Sequence, residues 1–204
     1  MLKSNLFVGY RIVTILLIFT ALLVQSIVLN NSGGNLGNFF SYFTILSNIF
    51  AAVVLSISIV KSEPTNILVS NLRGASTLYL IITFAGFVVL LQGDQGFLLG
   101  WVNLVLHYLS PAMVLFDWIL YPISVNIPFR LASIWTIPSV LYLTYSLVRG
   151  STTLWYPYSF LNPNQSGGYL TVFGYFMGVT LFGFLCIYFL LIIINSRQKS
   201  YNMI

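Results

Sequence analysis

Residues 9–29 read GYRIVTILLIFTALLVQSIVL, an apolar run in which the one charged residue is Arg11. A helix rises about 1.5 Å per residue, so a run of this length covers the roughly 30 Å of hydrocarbon in a bilayer. The run continues without a small-residue cleavage site, which favours a retained membrane span over a signal peptide. This stretch therefore predicts a transmembrane helix near the start of the chain.

Five further apolar runs follow, separated by segments that contain the turn-forming residues. An open sheet would leave main-chain groups unpaired in hydrocarbon, and the runs lack the alternation of a closed barrel, so all six are predicted to be helices. No connecting segment is long enough for a second domain. The sequence therefore predicts an all-α membrane protein, a single six-helix bundle over residues 1–204 with spans at about 9–29, 38–60, 72–92, 99–121, 131–148 and 169–195.

The composition of the 204-residue chain indicates lipid as its main solvent. Hydrophobic residues make up 58% and charged residues 5%, and the mean hydropathy is +0.95, whereas soluble domains carry about 25% charged residues. The net charge is +5, but the eight basic residues stand apart from one another, so no nucleic-acid groove is predicted. All of them except Arg149 fall on one side of the predicted topology, which predicts cytoplasmic termini.

Motifs of several enzyme classes are absent from the sequence, which has no GxSxG, HExxH, CxxC or GxxxxGK. These absences argue against the usual serine hydrolases, zinc proteases, thioredoxin-like proteins and P-loop proteins. One histidine, His107, and one cysteine, Cys186, are too few for a zinc site or a bis-histidine haem. No metal and no cofactor are predicted.

The second predicted span carries four polar residues at helical spacing: Ser41, Thr44, Ser47 and Asn48. Residues four apart lie on one face of a helix, so Thr44 and Asn48 share a face and Ser41 lies one turn further towards the outside. We expect this polar face to point into the bundle.

The fourth predicted span repeats the pattern with Asn103, His107 and Ser110, and Pro111 follows directly. Proline removes a main-chain donor, so we expect the helix to loosen near His107. Counted from the outer ends of their spans, Thr44 and His107 lie about 9 Å and about 12 Å deep. The sequence therefore predicts that the two side chains are level.

Each of these residues has a structural and a functional interpretation. An ionised group is costly at this depth, so His107 is predicted to be neutral, and it serves either as a base or as a hydrogen-bonding link between helices. An intramembrane threonine such as Thr44 usually bonds back to the carbonyl four residues earlier. Asn48 and Asn103 either link helices or orient the imidazole and donate to an oxyanion.

Two other features have mainly structural interpretations. Asp117 lies about 15 Å along the helix from His107, so it is predicted to form an ion pair with Arg130 or Arg73 and not to orient the ring. The aromatic segment around Trp155 and Tyr158 either roofs a lipid-entry cleft or forms an interfacial belt, and the sequence favours the belt.

Four segments carry a family resemblance: Tyr42–Asn48, Asn103–Pro111, Phe116-Asp117-Trp118 and Tyr156-Pro157-Tyr158. With them, the six-span layout of nearly the whole chain resembles the FAR-17a/androgen-induced-protein family, whose bacterial branch is often called Pr6Pr membrane proteins. The resemblance implies a multi-pass protein of the bacterial cytoplasmic membrane. The residues that flank the threonine and histidine depart from the animal pattern, which leaves the substrate open.

Animal members of that family hydrolyse fatty acid esters of hydroxy fatty acids with one intramembrane threonine and one intramembrane histidine. By motif, the resemblance implies that Thr44 is a nucleophile and His107 a base, acting on a lipid ester from the bilayer. Either Asn48 or Asn103 would then donate to the oxyanion. The supporting residues would be Ser41, Ser47 and Ser110. Two alternatives from other classes remain: a small proton-coupled transporter, in which His107 titrates, and a membrane assembly protein without chemistry.

Overall fold

The computed structural model describes residues 2–61, 66–91, 97–121 and 125–201, and every regular element within these ranges is helical. A π-helical turn at Val105–Leu109 joins α5 to α6, a 3₁₀ turn at Ser133–Trp135 joins α7 to α8, and a second 3₁₀ turn covers Ser159–Leu161. The α-helices in chain order are α1 (Leu2–Asn31), α2 (Leu36–Phe39), α3 (Phe43–Val60), α4 (Ile67–Leu90), α5 (Gly100–Leu104), α6 (Ser110–Leu120), α7 (Phe129–Ala132), α8 (Thr136–Thr153), α9 (Pro163–Ser166) and α10 (Tyr169–Tyr201).

In the part of the chain that the structure describes, six helical units are long and apolar enough to cross a membrane. This finding confirms the predicted all-α, six-span class. The units are Asn5–Asn31, Phe43–Val60, Ile67–Leu90, Gly100–Leu120, Phe129–Thr153 and Tyr169–Ser196. The second begins later than predicted, and the fifth extends beyond the predicted range at both ends.

The late start of the second unit follows from a separate short helix before it. The Oδ1 atom of Asn35 accepts a hydrogen bond from the amide of Asn38 at 3.0 Å and so caps α2. The chain then turns, and α3 begins at Phe43. Ser41 lies in this turn and donates to the carbonyl of Gly37 at 2.6 Å. The prediction that Ser41 continues the helical face of Thr44 is therefore wrong.

The end of α8 determines the path of the loop that follows. Leu154 adopts the left-handed conformation, with a φ of 57°, and so ends the helix. The loop then folds back so that the ring of Tyr156 lies directly against Gly150, at the place where a Cβ atom would collide with the ring. A larger residue than glycine at position 150 would push this loop away from α8.

Helix α4 lies at the centre of the bundle, where it packs against α3, α6 and α10. Helix α1 packs against α3 and α6, and α8 packs against α10. One apolar cluster contains Trp118 and Trp135, whose rings meet edge to face with centroids 6.0 Å apart. A second cluster, which includes Ile18 and Leu106, joins α1 to the π-helical turn. These contacts fix α3 beside that turn, where the polar residues of both units meet.

Three charged side chains are buried together near the start of α1 and α4 and the end of α6. Arg11 Nε lies 2.6 Å from Asp117 Oδ1, and Arg73 Nη2 lies 2.8 Å from Asp117 Oδ2, with each side chain at most 4% exposed. Arg11 Nη1 also donates to the carbonyl of Ser58 at 3.0 Å. The predicted pairing of Asp117 with Arg73 is confirmed. The alternative pairing with Arg130 is wrong, because Arg130 lies exposed outside this cluster.

Candidate active site

The hydroxyl of Thr44 and the imidazole of His107 meet inside the bundle. Thr44 Oγ1 lies 3.1 Å from His107 Nε2, and the two residues are 6% and 5% exposed. Thr44 comes from the first turn of α3 and His107 from the π-helical turn. The structure therefore brings together the two residues that the sequence predicts to lie at the same depth.

Thr44 takes its position from the N-terminus of α3, where the first main-chain amides have no partner within the helix. The side chain of Tyr42, which precedes the helix, does not cap them. Instead the amide of Phe43 donates to the hydroxyl of Tyr142 at 3.1 Å, and the amide of Thr44 donates to the hydroxyl of Tyr158 at 3.2 Å. Two phenols from distant parts of the chain thus hold the helix end that carries the candidate nucleophile.

His107 takes its position from the π-helical turn, in which the amide of Ser110 donates to the carbonyl of Val105, five residues earlier. Pro111 has no amide hydrogen, so it cannot donate a hydrogen bond to a carbonyl of the preceding turn. The carbonyl of Leu106 accepts instead from Asn48 Nδ2 at 3.1 Å and from Ser110 Oγ at 3.4 Å. The loosening predicted near Pro111 therefore takes the form of a π-helical turn, a feature frequent at functional sites.

The contacts of the imidazole define which nitrogen accepts a proton. His107 Nδ1 lies 3.3 Å from the main-chain carbonyl of Asn103, and a carbonyl only accepts, so Nδ1 carries the hydrogen in the neutral ring. The Nε2 lone pair then faces Thr44, whose hydroxyl donates to it. The ring of Phe87 stacks on the imidazole, with centroids 4.1 Å apart and an interplanar angle of 24°. The geometry is that of a hydroxyl beside an oriented base.

The other polar residues predicted for the site mainly join and support the helices. Asn48 Nδ2 donates to the carbonyl of Thr44 at 2.8 Å as well as to that of Leu106, while Asn48 Oδ1 accepts from Ser110 at 2.5 Å. Both amide hydrogens of Asn48 are thus used by main-chain carbonyls, which favours its interpretation as a link between helices. Ser47 Oγ lies 2.9 Å from Thr83 Oγ1 and 3.1 Å from the carbonyl of Thr44.

A cavity of about 340 Å³ opens beside Thr44. Helices α3, α4, α8 and α10 and the loop after α8 form its walls, which are predominantly apolar. The polar groups in the lining are hydroxyls, contributed by Thr44, Thr83, Ser139, Tyr142, Tyr158 and Tyr175. A cavity of this kind suits an apolar chain, and the hydroxyl of Thr44 is among the few polar groups in its wall.

Tyr158 lies at the site, although the sequence names it only as part of the aromatic segment and gives it no role beside Thr44. Its hydroxyl lies 3.5 Å from Thr44 Oγ1, and its ring stacks on Phe160 at 5.4 Å and meets Tyr42 edge to face at 5.5 Å. Tyr158 therefore forms part of the wall of the cavity, while both interpretations of the segment, as a roof over a lipid-entry cleft and as an interfacial belt, stay predictions. Its place in the Tyr156-Pro157-Tyr158 motif was the available signal.

Within residues 2–61, 66–91, 97–121 and 125–201, no three His, Cys, Asp or Glu side chains form a group that could hold a metal ion. The functional groups at the site are hydroxyls, an imidazole and amides. In comparisons with protein-family models, curated proteins and solved structures, nothing matches this chain.

Proposed function

We propose that this protein is an intramembrane threonine hydrolase that cleaves lipid esters, with Thr44 as nucleophile and His107 as base. The observation that carries the proposal is the 3.1 Å contact between Thr44 Oγ1 and the acceptor nitrogen of a neutral, oriented imidazole. A hydroxyl is a weak nucleophile until a base removes its proton, and this contact supplies the base. The resemblance to the FAR-17a/androgen-induced-protein family supports the same pair of residues.

In the first half of the reaction, Thr44 Oγ1 attacks the ester carbonyl carbon while its proton passes to His107 Nε2. The tetrahedral intermediate then collapses, and the leaving alkoxide takes that proton and departs as an alcohol. The acyl group remains as an ester on Thr44. The ring of Phe87, stacked on the imidazole, stabilises the imidazolium that exists between these steps.

In the second half, His107 Nε2 removes a proton from a water molecule, which attacks the acyl carbon. Collapse of this intermediate returns the proton to Thr44 Oγ1 and releases a carboxylic acid. Asn103 keeps the ring in one tautomer throughout through its main-chain carbonyl. Asn48 holds the main chain of Thr44 and that of Leu106 in fixed relation, so the pair keeps its spacing.

The substrate class follows from the cavity and the surroundings of the site. The lining beside Thr44 is predominantly apolar, so it suits a long acyl chain better than the hydrated cargo of a carrier. We place the protein as a multi-pass protein of the bacterial cytoplasmic membrane with both termini on the cytoplasmic side, where its esters come from the surrounding bilayer.

The test is an activity assay on the purified protein in detergent with a long-chain p-nitrophenyl ester, followed by labelling with a fluorophosphonate probe. Thr44→Val removes the hydroxyl at nearly constant volume, and His107→Ala removes the base. We expect either change to lower kcat by at least about 10³-fold, because nucleophile and base act as a unit. Mass spectrometry of the wild-type protein should locate the phosphonyl group on Thr44.

The matched control is Thr180→Val, since the hydroxyl of Thr180 bonds to the carbonyl of Phe176 in its own helix, away from His107. This variant should retain wild-type kcat. Hydrolysis that survives in Thr44→Val would contradict the mechanism. Cargo flux into proteoliposomes, unchanged by Thr44→Val, would favour the transporter alternative instead.

A further inference from the structure

The surroundings of Thr44 differ on its two sides. His107 reaches Oγ1 from the π-helical turn, whereas Tyr158 lines the cavity together with Thr44. A substrate chain in that cavity therefore approaches Thr44 on the side of the phenol. The carbonyl oxygen of a bound ester would lie near the hydroxyl of Tyr158, which is 3.5 Å from Oγ1 and 3.2 Å from the amide nitrogen of Thr44.

The mechanism needs a donor at this place. Attack on a carbonyl develops a negative charge on its oxygen, and each preorganised donor to that oxygen typically contributes 10²- to 10³-fold in kcat. The amide hydrogens of Asn48, considered for this role from the sequence, are used by the carbonyls of Thr44 and Leu106. Asn103, the other amide considered for this role, does not line the cavity, so another donor beside Thr44 is required.

We propose that the hydroxyl of Tyr158, together with the main-chain amide of Thr44, forms the oxyanion hole; this inference rests on the proposed hydrolase function. As the bond from Oγ1 to the carbonyl carbon forms, the carbonyl electron pair moves onto its oxygen. The Tyr158 hydroxyl turns its hydrogen to this oxygen. The amide hydrogen of Thr44, which at rest is donated to the Tyr158 hydroxyl, is now donated to the oxyanion. Collapse of the intermediate restores both original contacts, with no net proton transfer to or from Tyr158.

Two features of the resting site suit this role. The proton of Thr44 points to His107 Nε2, so a lone pair of Thr44 Oγ1 faces the Tyr158 hydroxyl at 3.5 Å, a contact longer than a normal hydrogen bond. The Tyr158 hydroxyl also neighbours the hydroxyl of Tyr142, which already donates to the carbonyl of Ser41. Removal from water raises the pKa of the Tyr158 phenol, so the group stays protonated and able to donate. The stacked ring of Phe160 and the edge contact with Tyr42 hold the phenol in place.

The experiment compares wild-type protein, Tyr158→Phe and Tyr156→Phe with the long-chain p-nitrophenyl ester. Tyr158→Phe keeps the ring and its packing but removes the donor, so we expect kcat to fall about 100-fold while KM changes less than about threefold. The control Tyr156→Phe removes a phenol hydroxyl from the same loop, against Gly150, and should keep wild-type kcat. The rate constant of fluorophosphonate labelling at Thr44 should fall in parallel with kcat.

A second measurement separates catalysis from a purely structural role of the phenol at the end of α3. Fluorinated tyrosines introduced at position 158 keep the hydroxyl and nearly the same shape but make it more acidic. If Tyr158 donates to the oxyanion, kcat rises with acidity at pH 7; a kcat independent of acidity overturns the inference.

The outcomes distinguish the inference from the function on which it rests. Wild-type kcat in Tyr158→Phe, with Thr44→Val inactive, overturns the inference alone. A wild-type protein that does not hydrolyse the ester, or whose hydrolysis survives in Thr44→Val, overturns the proposed function and the inference with it.

Discussion

At the residue scale, the side chain of Asn48 fixes the main chain at Thr44 relative to the main chain at Leu106. One amide nitrogen donates to the carbonyls of Thr44 and Leu106, and the amide oxygen accepts from Ser110. The carbonyl of Leu106 depends on this contact because Pro111 supplies no amide hydrogen. Asn48 therefore links the segment that carries the hydroxyl to the segment that carries the imidazole.

Replacing Asn48 with Leu keeps the size of the side chain nearly constant but makes it apolar. The carbonyl of Leu106 then loses its main donor. We expect the free energy of unfolding to fall by about 1–3 kcal/mol, the cost of a buried polar group that has lost its partner. We also expect kcat to fall, because the segment that carries His107 is released. Thermal unfolding in detergent and the ester assay measure the two effects.

Ser56→Ala is the control for this change, since Ser56 is exposed and its hydroxyl bonds to the carbonyl of Ala52 within the same helix. Its stability should stay within about 0.5 kcal/mol of wild type. Equal stability of Asn48→Leu and Ser56→Ala would show that Asn48 does not link the helices.

The residues of the site differ in how far the sequence predicts them. The common depth of Thr44 and His107 follows from counting along two helices, because the rise per residue is fixed. The contact of Tyr158 with Thr44 joins residues 114 apart through an irregular loop, and no periodicity predicts the path of such a loop. The basic residues of the sequence, Arg11 among them, predict topology alone; the structure pairs Arg11 with Asp117, because packing decides which charges are buried together.

At the element scale, the π-helical turn places the imidazole. The extra residue in the π-helical turn changes the direction in which the side chains before and after it point. Pro111 favours this turn because it has no amide hydrogen to donate to the preceding main chain. From the proline, the sequence predicts that the helix is distorted here, but not that the distortion is a π-helical turn. That outcome depends on Asn48, which lies in another helix and donates a hydrogen bond to the carbonyl of Leu106.

Replacing Pro111 with Ala supplies that missing amide hydrogen. We expect the turn to close towards a regular α-helix, which rotates His107 away from Thr44 and lowers kcat by at least tenfold. The melting temperature should stay the same or rise, because a regular helix loses no hydrogen bond. The ester assay and thermal unfolding are the measurements.

Pro138→Ala provides the matched control, because Pro138 lies near the start of α8, directly after the 3₁₀ turn, in a different helical unit from His107. It should behave like wild type in both assays. A Pro111→Ala variant with wild-type kcat would show that the π-helical turn does not position the imidazole.

At the scale of the whole molecule, the described residues form six helical units that are long and apolar enough to cross a membrane. The cluster of Arg11, Arg73 and Asp117 marks one end of the bundle, and Arg149, which bonds to Asn38 at 2.7 Å, lies at the other. The sequence predicts the six apolar helices well, because apolar run length is a property of the chain alone. The cytoplasmic placement of the termini, which rests on the distribution of basic residues, stays a prediction.

Single cysteines introduced in a Cys186→Ser background test the orientation in intact cells. Exposed positions at one end of the bundle are Lys61 and Arg130, and exposed positions at the other are Ser32 and Ser151. A membrane-impermeant maleimide should label the cysteines at 32 and 151 from outside, whereas those at 61 and 130 should react only after the cells are opened. Labelling of all four from outside, or the reverse pattern, would contradict the proposed orientation.

The pairing of Arg11 with Asp117 has a consequence for biosynthesis. The two residues are 106 positions apart, so Arg11 is synthesised long before Asp117. During that interval α1 carries a cation that is costly to leave in hydrocarbon. We therefore expect the first span to reach its final depth only after the fourth has been inserted, and a nascent chain that is halted between them to carry an arginine without its counter-charge.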